Sequence, residues 1–384
     1  MLLSATRIHD GQRFLAPGAA LEVSADGAIL AVHDQVGQAD RFFDGILCPG
    51  FVNAHCHLEL SHLRGCFAPG QGLISFLKQV PFLRGRYSEE DKRKARLAAS
   101  EEMLRNGIVA VGDIANTGDT ADIRAAGSLH IHTFVEALGF TETHAASRFE
   151  AALAVYRSLQ MPESGSRIVS QSITPHAPYS VSPSLFRLID EALPGSIVSI
   201  HNQESRAEDE FYRTGSGAVR ELLTHLGIDD NFFRPSGSSS LQTYGNWISP
   251  EHPLILVHNT FSAPEDIEWA VNRFPKLYWC LCPNANLFLE GALPDIAMLR
   301  QAGATICLGT DSLASNNELS ILSEILVLKE RCSLDWELLL CWATRNGALA
   351  LGMEAVAGSF CAGMSPGILH ISEPEGRAAV TRVL

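Results

Sequence analysis

The sequence predicts an α/β fold, a (β/α)8 TIM barrel joined to a small β-sandwich domain that both chain ends build. Three observations predict it. Eight apolar, strand-like runs alternate with helix-like stretches through the middle of the 384 residues. The two ends read instead as short strands broken by turns. Histidines and one aspartate recur where the middle strands stop, and such a barrel carries its chemistry at the C-terminal ends of its strands.

Taken in order, residues 1–47 give short strands, of which 21–23 and 28–32 flank the hairpin turn Ser24-Ala25-Asp26-Gly27. The barrel strands are expected at 51–57, 109–114, 131–137, 168–174, 197–201, 254–258, 277–282 and 305–309. Between them, Ser88-Glu89-Glu90-Asp91 is an N-terminal cap for a helix that runs to Arg105 and stops at Asn106-Gly107. Further helices fit 146–159, 182–191, 263–273 and 296–302. The stretch Pro235-Ser236-Gly237-Ser238-Ser239-Ser240 reads as a surface loop, since barrel-like units continue on both sides. From Val356 onward, short apolar runs are broken by Gly358, Gly363, Pro366 and Gly367. Residues 1–47 and 356–384 are therefore expected to form the small domain, and 48–355 the barrel. A doubly wound sheet is the alternative, but no Gly-x-Gly-x-x-Gly turn follows the first strand.

Composition narrows the function. The chain is 46% hydrophobic and 19% charged, which suits a soluble enzyme with a large core. Its net charge is −14, only five of 29 basic residues are lysine, and no basic run stands out. That disfavours nucleic acid and anionic membrane as partners and favours a small-molecule substrate. No apolar run approaches the length of a membrane span. The nine cysteines lack a framework spacing, and Cys280, Cys282 and Cys307 lie inside apolar strands, as expected of reduced thiols in a cytoplasmic protein. The N-terminus, Met1-Leu2-Leu3-Ser4-Ala5 followed by Arg7, His9 and Asp10, does not read as a signal peptide.

The chemistry-bearing residues fall at the strand ends. His55 and His57 are two residues apart, so they share one face of the first strand. His176 follows strand four, His201 ends strand five with Glu204 three residues on, His258 ends strand six, and Asp311 follows strand eight. Imidazoles from His55, His57 and His201 with the Asp311 carboxylate suit Zn²⁺, or Fe²⁺ as the alternative. Such an ion lowers the pKa of its water from 15.7 toward about 7. Asp311 is then placed to take a proton from that water. Glu204 is placed to protonate a ring nitrogen and later a leaving group, and His258 to polarise the attacked centre or hold the nucleophile. His176 is a candidate substrate contact. Glu59 is either a substrate contact or a carboxylate bonded to nearby backbone or to His62. His57-Leu58-Glu59 matches half of the cytidine-deaminase zinc signature, but no Pro-Cys-x-x-Cys follows, which argues against that fold.

The carrying pieces are Pro49-Gly50-Phe51-Val52-Asn53-Ala54-His55-Cys56-His57, Pro175-His176-Ala177-Pro178-Tyr179-Ser180, His201-Asn202-Gln203-Glu204, His258-Asn259, Cys282-Pro283-Asn284-Ala285-Asn286 and Gly309-Thr310-Asp311-Ser312-Leu313-Ala314-Ser315-Asn316-Asn317. In their order and spacing the chain resembles the amidohydrolase superfamily, in the branch of cytosine, guanine and S-adenosylhomocysteine deaminases and triazine chlorohydrolases. The resemblance implies one catalytic metal on His55, His57, His201 and Asp311. It also implies Glu204 as proton shuttle and His258 beside the nucleophilic water. Binuclear relatives bridge two metals with a modified lysine on strand four. None of Lys78, Lys92, Lys94, Lys276 and Lys329 ends an expected strand, so one metal is expected. A homodimer is compatible with the resemblance, although nothing in the chain marks an interface.

The run Asn53-Ala54-His55-Cys56-His57-Leu58-Glu59-Leu60-Ser61 looks like the subgroup that includes aminodeoxyfutalosine deaminases of the menaquinone pathway. Their substrate carries a benzoate, which calls for an arginine near the pocket mouth. Arg64, Arg84, Arg86 and Arg206 are candidates by position, each of them otherwise a solvated surface charge. Other members of the branch remain as alternatives: adenosine, S-adenosylhomocysteine, guanine or cytosine deaminases and chlorohydrolases. A non-enzymatic barrel is disfavoured because every expected ligand is present.

Overall fold

The computed structural model describes residues 1–160, 167–372 and 378–384; residues 373–377 of the expected C-terminal segment thus lie outside the described residues. Eight parallel strands build the barrel: β1 (Phe51–Cys56), β2 (Ile108–Ala115), β3 (His130–Ala137), β4 (Val169–Pro175), β5 (Val198–Asn202), β6 (Leu254–His258), β7 (Leu277–Leu281) and β8 (Thr305–Leu308). β1, β2, β3, β5 and β6 are buried along their whole length. This is why β2 and β6 read as Val/Ile/Leu-rich runs and not as alternating ones.

Hydrogen bonding divides the barrel into two four-stranded halves, β1–β4 and β5–β8. Side chains stitch the seams. Between β4 and β5, Ser199 N–H donates to Thr174 Oγ1 at 2.8 Å, and Ser172 Oγ donates to the Ile197 carbonyl at 2.7 Å. Between β8 and β1, the amides of Thr310 and Asp311 both donate to the His55 carbonyl at 3.1 Å. The Asn53 side chain also pairs with Thr310, donating to Oγ1 at 2.8 Å and accepting from its N–H at 3.1 Å. The β1–β2 register slips between Asn53 and Cys56, a local irregularity around His55.

The helices follow local chemistry. Glu89–Arg105 starts at Ser88, whose side chain accepts from Asp91 N–H. It buries Arg96, Ala99, Ser100 and Met103, a helical stripe, and ends before Gly107, whose φ of 79° suits glycine. Pro183–Ala192 is capped by Ser182 and buries Leu185, Phe186 and Ile189 against the barrel.

Both chain ends join one six-stranded mixed sheet. Its order is Ala379–Arg382, Ile368–Ser372, Arg41–Pro49, Leu2–Ile8, Ala20–Val23, Ile29–His33. Leu3, Leu21, Ile29, Leu47, Phe360 and Ile368 pack as its own core. One segment for which no expectation was drawn from sequence, Leu73–Arg84, is a helix despite Pro81, and another differs from expectation. Ser239 and Ser240 are buried where a surface loop was expected: Ser239 caps the short helix Ser240–Tyr244, and both hydroxyls find buried carboxylates. Among the described residues, no helix is long and apolar enough to cross a membrane.

Candidate active site

The strand ends converge on one point. His55 and His57 leave β1, His201 leaves β5, and Asp311 follows β8 across the seam that ties it to His55. The Nε2 atom of His57 lies 3.2 Å from Nε2 of both His55 and His201. Asp311 Oδ1 lies 3.4 Å from Nε2 of His57 and 3.7 Å from that of His55. Ligands about 2.0–2.1 Å from a tetrahedral ion stand roughly 3.3 Å from one another, so the three imidazoles cluster at the spacing of a donor set, with the Asp311 carboxylate beside His55 and His57. Around them, His201 Nδ1 donates to the His176 carbonyl at 2.7 Å, which turns its Nε2 inward. Ser315 Oγ donates to Asp311 Oδ2 at 2.5 Å.

Glu204 and His258 complete the centre. His258 Nδ1 meets Asn286 Oδ1 at 2.8 Å, which puts the proton on Nδ1 and leaves Nε2 facing Glu204 Oε1 at 3.6 Å. Four of the five non-glycine residues with positive φ among those described are Gln203, His258, Asn259 and Asp311. Backbone strain thus concentrates at the strand ends that carry these groups.

Burial sets the protonation states. It lowers the pKa of His55, His201 and His258, that of His57 to about 3 and that of His176 to about 4, so all five imidazoles are neutral at neutral pH. Burial works against the Asp311 carboxylate, but the facing imidazoles of His55, His57 and His258 outweigh it and hold it below the usual carboxylate range. Glu204 goes the other way. Burial, then the nearby charges of Asp311 and Glu290, raise it well above the usual carboxylate range, which favours the protonated acid.

The centre opens into a cavity of about 560 Å³ whose wall includes His57, His176, His201, Glu204, His258 and Asp311. Its outer part is apolar, with Phe76, Leu77 and Val80 from Leu73–Arg84 and Leu222 and Leu223 from Ala218–His225. His176 lies in the wall with Nδ1 on Ser180 Oγ at 2.6 Å. Arg84 is also in the wall, but its Nη2 lies 2.9 Å from Glu59 Oε1, so Glu59 is an arginine partner behind the wall and outside the cavity lining. The other Glu59 oxygen accepts from Asn116 N–H and Thr117 Oγ1 at 3.1 Å each, which favours the backbone-bonded reading of that carboxylate.

Arg64, Arg86 and Arg206 are not brought to the cavity. Arg64 pairs with Glu102, Arg86 sits 4.1 Å over the Phe82 ring, and Arg206 sits 4.5 Å over the Phe261 ring. Two charged wall residues escaped the sequence reading. Glu136, near the end of β3, accepts from Asn116 Nδ2 at 2.7 Å, and burial pushes its pKa up to about 7. Its signal was a carboxylate near the end of an otherwise apolar strand. Arg148, from the helix Ala145–Ser158, reaches the cavity rim, and a helix-surface arginine carries no such signal.

A parallel barrel with three histidines and an aspartate converging at its strand ends defines a hydrolase of the metal-dependent barrel class. The chain belongs to the amidohydrolase family, whose model matches residues 46–372. It is 27% identical over 323 residues to an adenosine deaminase of Helicobacter pylori, covering 83% of this chain and 77% of that one. It is 26% identical over 347 residues to an aminodeoxyfutalosine deaminase of Nitratiruptor sp., covering 87% and 80%. Its fold matches the crystal structure of Helicobacter pylori aminofutalosine deaminase in complex with methylthio-coformycin, with a TM-score of 0.81, 22% identity and full coverage of both chains.

Proposed function

We propose that the protein is a mononuclear, metal-dependent hydrolytic deaminase of an adenine-type base on a nucleoside-like substrate, with aminodeoxyfutalosine as that substrate. One observation carries this reading: the buried Glu204 carboxyl faces the cavity beside the donor set and 3.6 Å from His258. His55, His57, His201 and Asp311 would hold the ion, Zn²⁺ by preference and Fe²⁺ as the alternative, since neutral imidazoles with one carboxylate suit both. When bound, the ion supplies Lewis acidity that brings the pKa of water from 15.7 toward about 7.

The chain's own groups do the rest. Asp311, ionised and held at Oδ2 by Ser315, accepts a proton from the attacking water. His258, its Nδ1 proton committed to Asn286, offers Nε2 as acceptor to the water's remaining hydrogen and so orients it. Glu204 donates its proton to the ring nitrogen as the attacked carbon becomes tetrahedral. The proton held by Asp311 passes to the exocyclic amine, and the carbon–nitrogen bond breaks as the added hydroxyl closes to the ring carbonyl, releasing ammonia. The hydroxyl's proton returns to Glu204, and the ring nitrogen keeps the one it received.

The apolar outer chamber, with Arg84 and Arg148 in its wall, supports a substrate with a hydrophobic, anionic extension beyond the nucleoside. All nine cysteines stand unbridged, which supports the cytoplasm as the setting. The test is ammonia release by zinc-loaded protein from aminodeoxyfutalosine, adenosine, S-adenosylhomocysteine, guanine and cytosine. A preference of tenfold or more in kcat/KM for the first supports the whole reading. Preference for another member keeps the mechanism and discards the substrate.

A further inference from the structure

Directly behind Glu204 lies a buried polar cluster that no step above uses. It is built on Gln203, which follows β5 with φ 45°, a left-handed backbone that is unfavourable for a residue with a side chain. Gln203 N–H donates to Glu208 Oε1 at 2.9 Å, and its carbonyl accepts from Phe261 N–H at 3.0 Å. Its side-chain amide donates to Asp266 Oδ2 at 2.7 Å and to Asp209 Oδ2 at 3.2 Å. Two serines from the stretch before Ser240–Tyr244 and its first turn complete the set. Ser240 Oγ donates to Glu208 Oε1, and Ser239 Oγ to Asp266 Oδ1, both at 2.5 Å.

Glu208 and Asp266 are fully buried, and among the described residues every hydrogen bond to them comes from a neutral donor. Burial raises Glu208 well above the usual carboxylate range and its Oε2 has no partner, so burying these acids is unfavourable for stability and packing does not explain them. What they fix is the turn. Residues 202 and 259 tie it to the neighbouring strand end as well: Asn259 N–H donates to the Asn202 carbonyl at 3.0 Å, and the two side chains pair at 3.0 Å. The turns that carry Glu204 and His258 are thereby held as one unit.

We infer that Glu208 and Asp266 are positioning residues for Glu204: they lock the left-handed turn at Gln203, and that turn aims the next side chain into the cavity. The inference rests on the reading of Glu204 as the proton donor. A misplacement near 1 Å is enough to lower turnover about 100-fold.

The test compares Glu208→Ala with Glu208→Gln in zinc-loaded protein, reading kcat, KM and zinc per chain. A glutamine Oε1 still accepts from Gln203 N–H and Ser240 Oγ, so Glu208→Gln is expected to stay within about threefold of the parent kcat. Glu208→Ala is expected to lose about 100-fold in kcat, with KM within about threefold and zinc near one per chain. A purely structural role would lower the yield of folded protein but not kcat per zinc-loaded chain. Unchanged kcat per zinc in Glu208→Ala, or an equal loss in both variants, overturns the inference. Gln203→Gly supplies a second route, because glycine tolerates the left-handed φ and what is lost is the side-chain anchor to Asp266 and Asp209, with a long bond from Asn202 Nδ2 at 3.4 Å. Parent kcat in that variant removes Asp266 from the inference. If Glu204→Gln itself keeps full turnover, the reading of Glu204 fails first, and the two failures are thus distinguishable.

Discussion

Glu204 Oε1 and His258 Nε2 stand 3.6 Å apart, each on a strand end whose backbone turns left-handed at Gln203 or at His258 itself. At one cavity wall, burial favours the protonated form of Glu204 and the neutral form of His258, which supports the proposed roles of proton donor and water acceptor. Glu204→Gln keeps the shape and removes the transferable proton. It is expected to lower kcat by about 10²–10⁴ with zinc content unchanged. Steady-state kinetics with metal analysis on the same sample checks this, and full turnover in the variant sinks the assignment.

The donor set predicts a stoichiometry. Zinc-reconstituted protein should hold one ion per chain, and His57→Ala and Asp311→Asn should each lose most of it together with turnover. Chelation should abolish turnover, and restoring zinc should bring it back. Elemental analysis after dialysis reads the outcome; two tightly held ions per chain would contradict a single site.

Gly309 predicts a second-order effect on the same ion. A Cβ there would meet Cβ and the carbonyl oxygen of His55 at 2.9 Å and Cys280 Sγ at 3.0 Å. The neighbours include backbone at a barrel seam, so His55 has to shift. Gly309→Ala is expected to weaken zinc affinity by about 10–100-fold, as when the support of a ligand is lost. Competition with a chromogenic chelator measures it, and parent affinity would show that the seam gives way elsewhere.

Asp113 predicts a pH dependence of stability. It is buried, Leu58 N–H donates to its Oδ1 at 3.2 Å, and burial pushes its pKa up from 3.8 to about 7. The folded state therefore holds this proton after the unfolded chain has released it. The contribution is fully present below about pH 4 and is lost as pH rises through about 7. Asp113→Asn lacks that loss. Its stability relative to the parent should rise between pH 4 and 8 by roughly 3–4 kcal/mol. Urea unfolding of both proteins across that range reads the difference, which should be flat if Asp113 ionises normally.

Arg148 predicts a split between substrates. Among the described residues no carboxylate pairs with it, whereas Arg84 is already neutralised by Glu59. Arg148→Ala should raise KM for a carboxylate-bearing nucleoside about tenfold or more and leave KM for adenosine within about twofold. Equal changes for both substrates would place the anion elsewhere.

These residues also show what was legible beforehand. His55, His57, His201, His258 and Asp311 were readable because a barrel presents strand ends to one mouth, so position along the strand fixed their direction. Arg64 follows a 3-10 turn and Arg206 opens the helix Arg206–Thr214, so their direction depends on neighbours distant in sequence; Glu102 and Phe261 captured them. The helix Leu73–Arg84 was hidden by Pro81 and by the glycines before it. Its first amide is capped from afar by Glu290 Oε1 at 2.7 Å, a contact no local pattern announces. Ser239 and Ser240 read as loop residues because serine runs usually are solvated; here two buried carboxylates take their hydroxyls.

Hydrolysis is the central claim, and isotope transfer tests it most directly. Zinc-loaded protein turning over its preferred aminopurine nucleoside in oxygen-18 water should place one labelled oxygen on the ring carbon that loses nitrogen, with one ammonia released per product. Product without the label, or no ammonia from any of the purine substrates by a fully zinc-loaded chain, would contradict it.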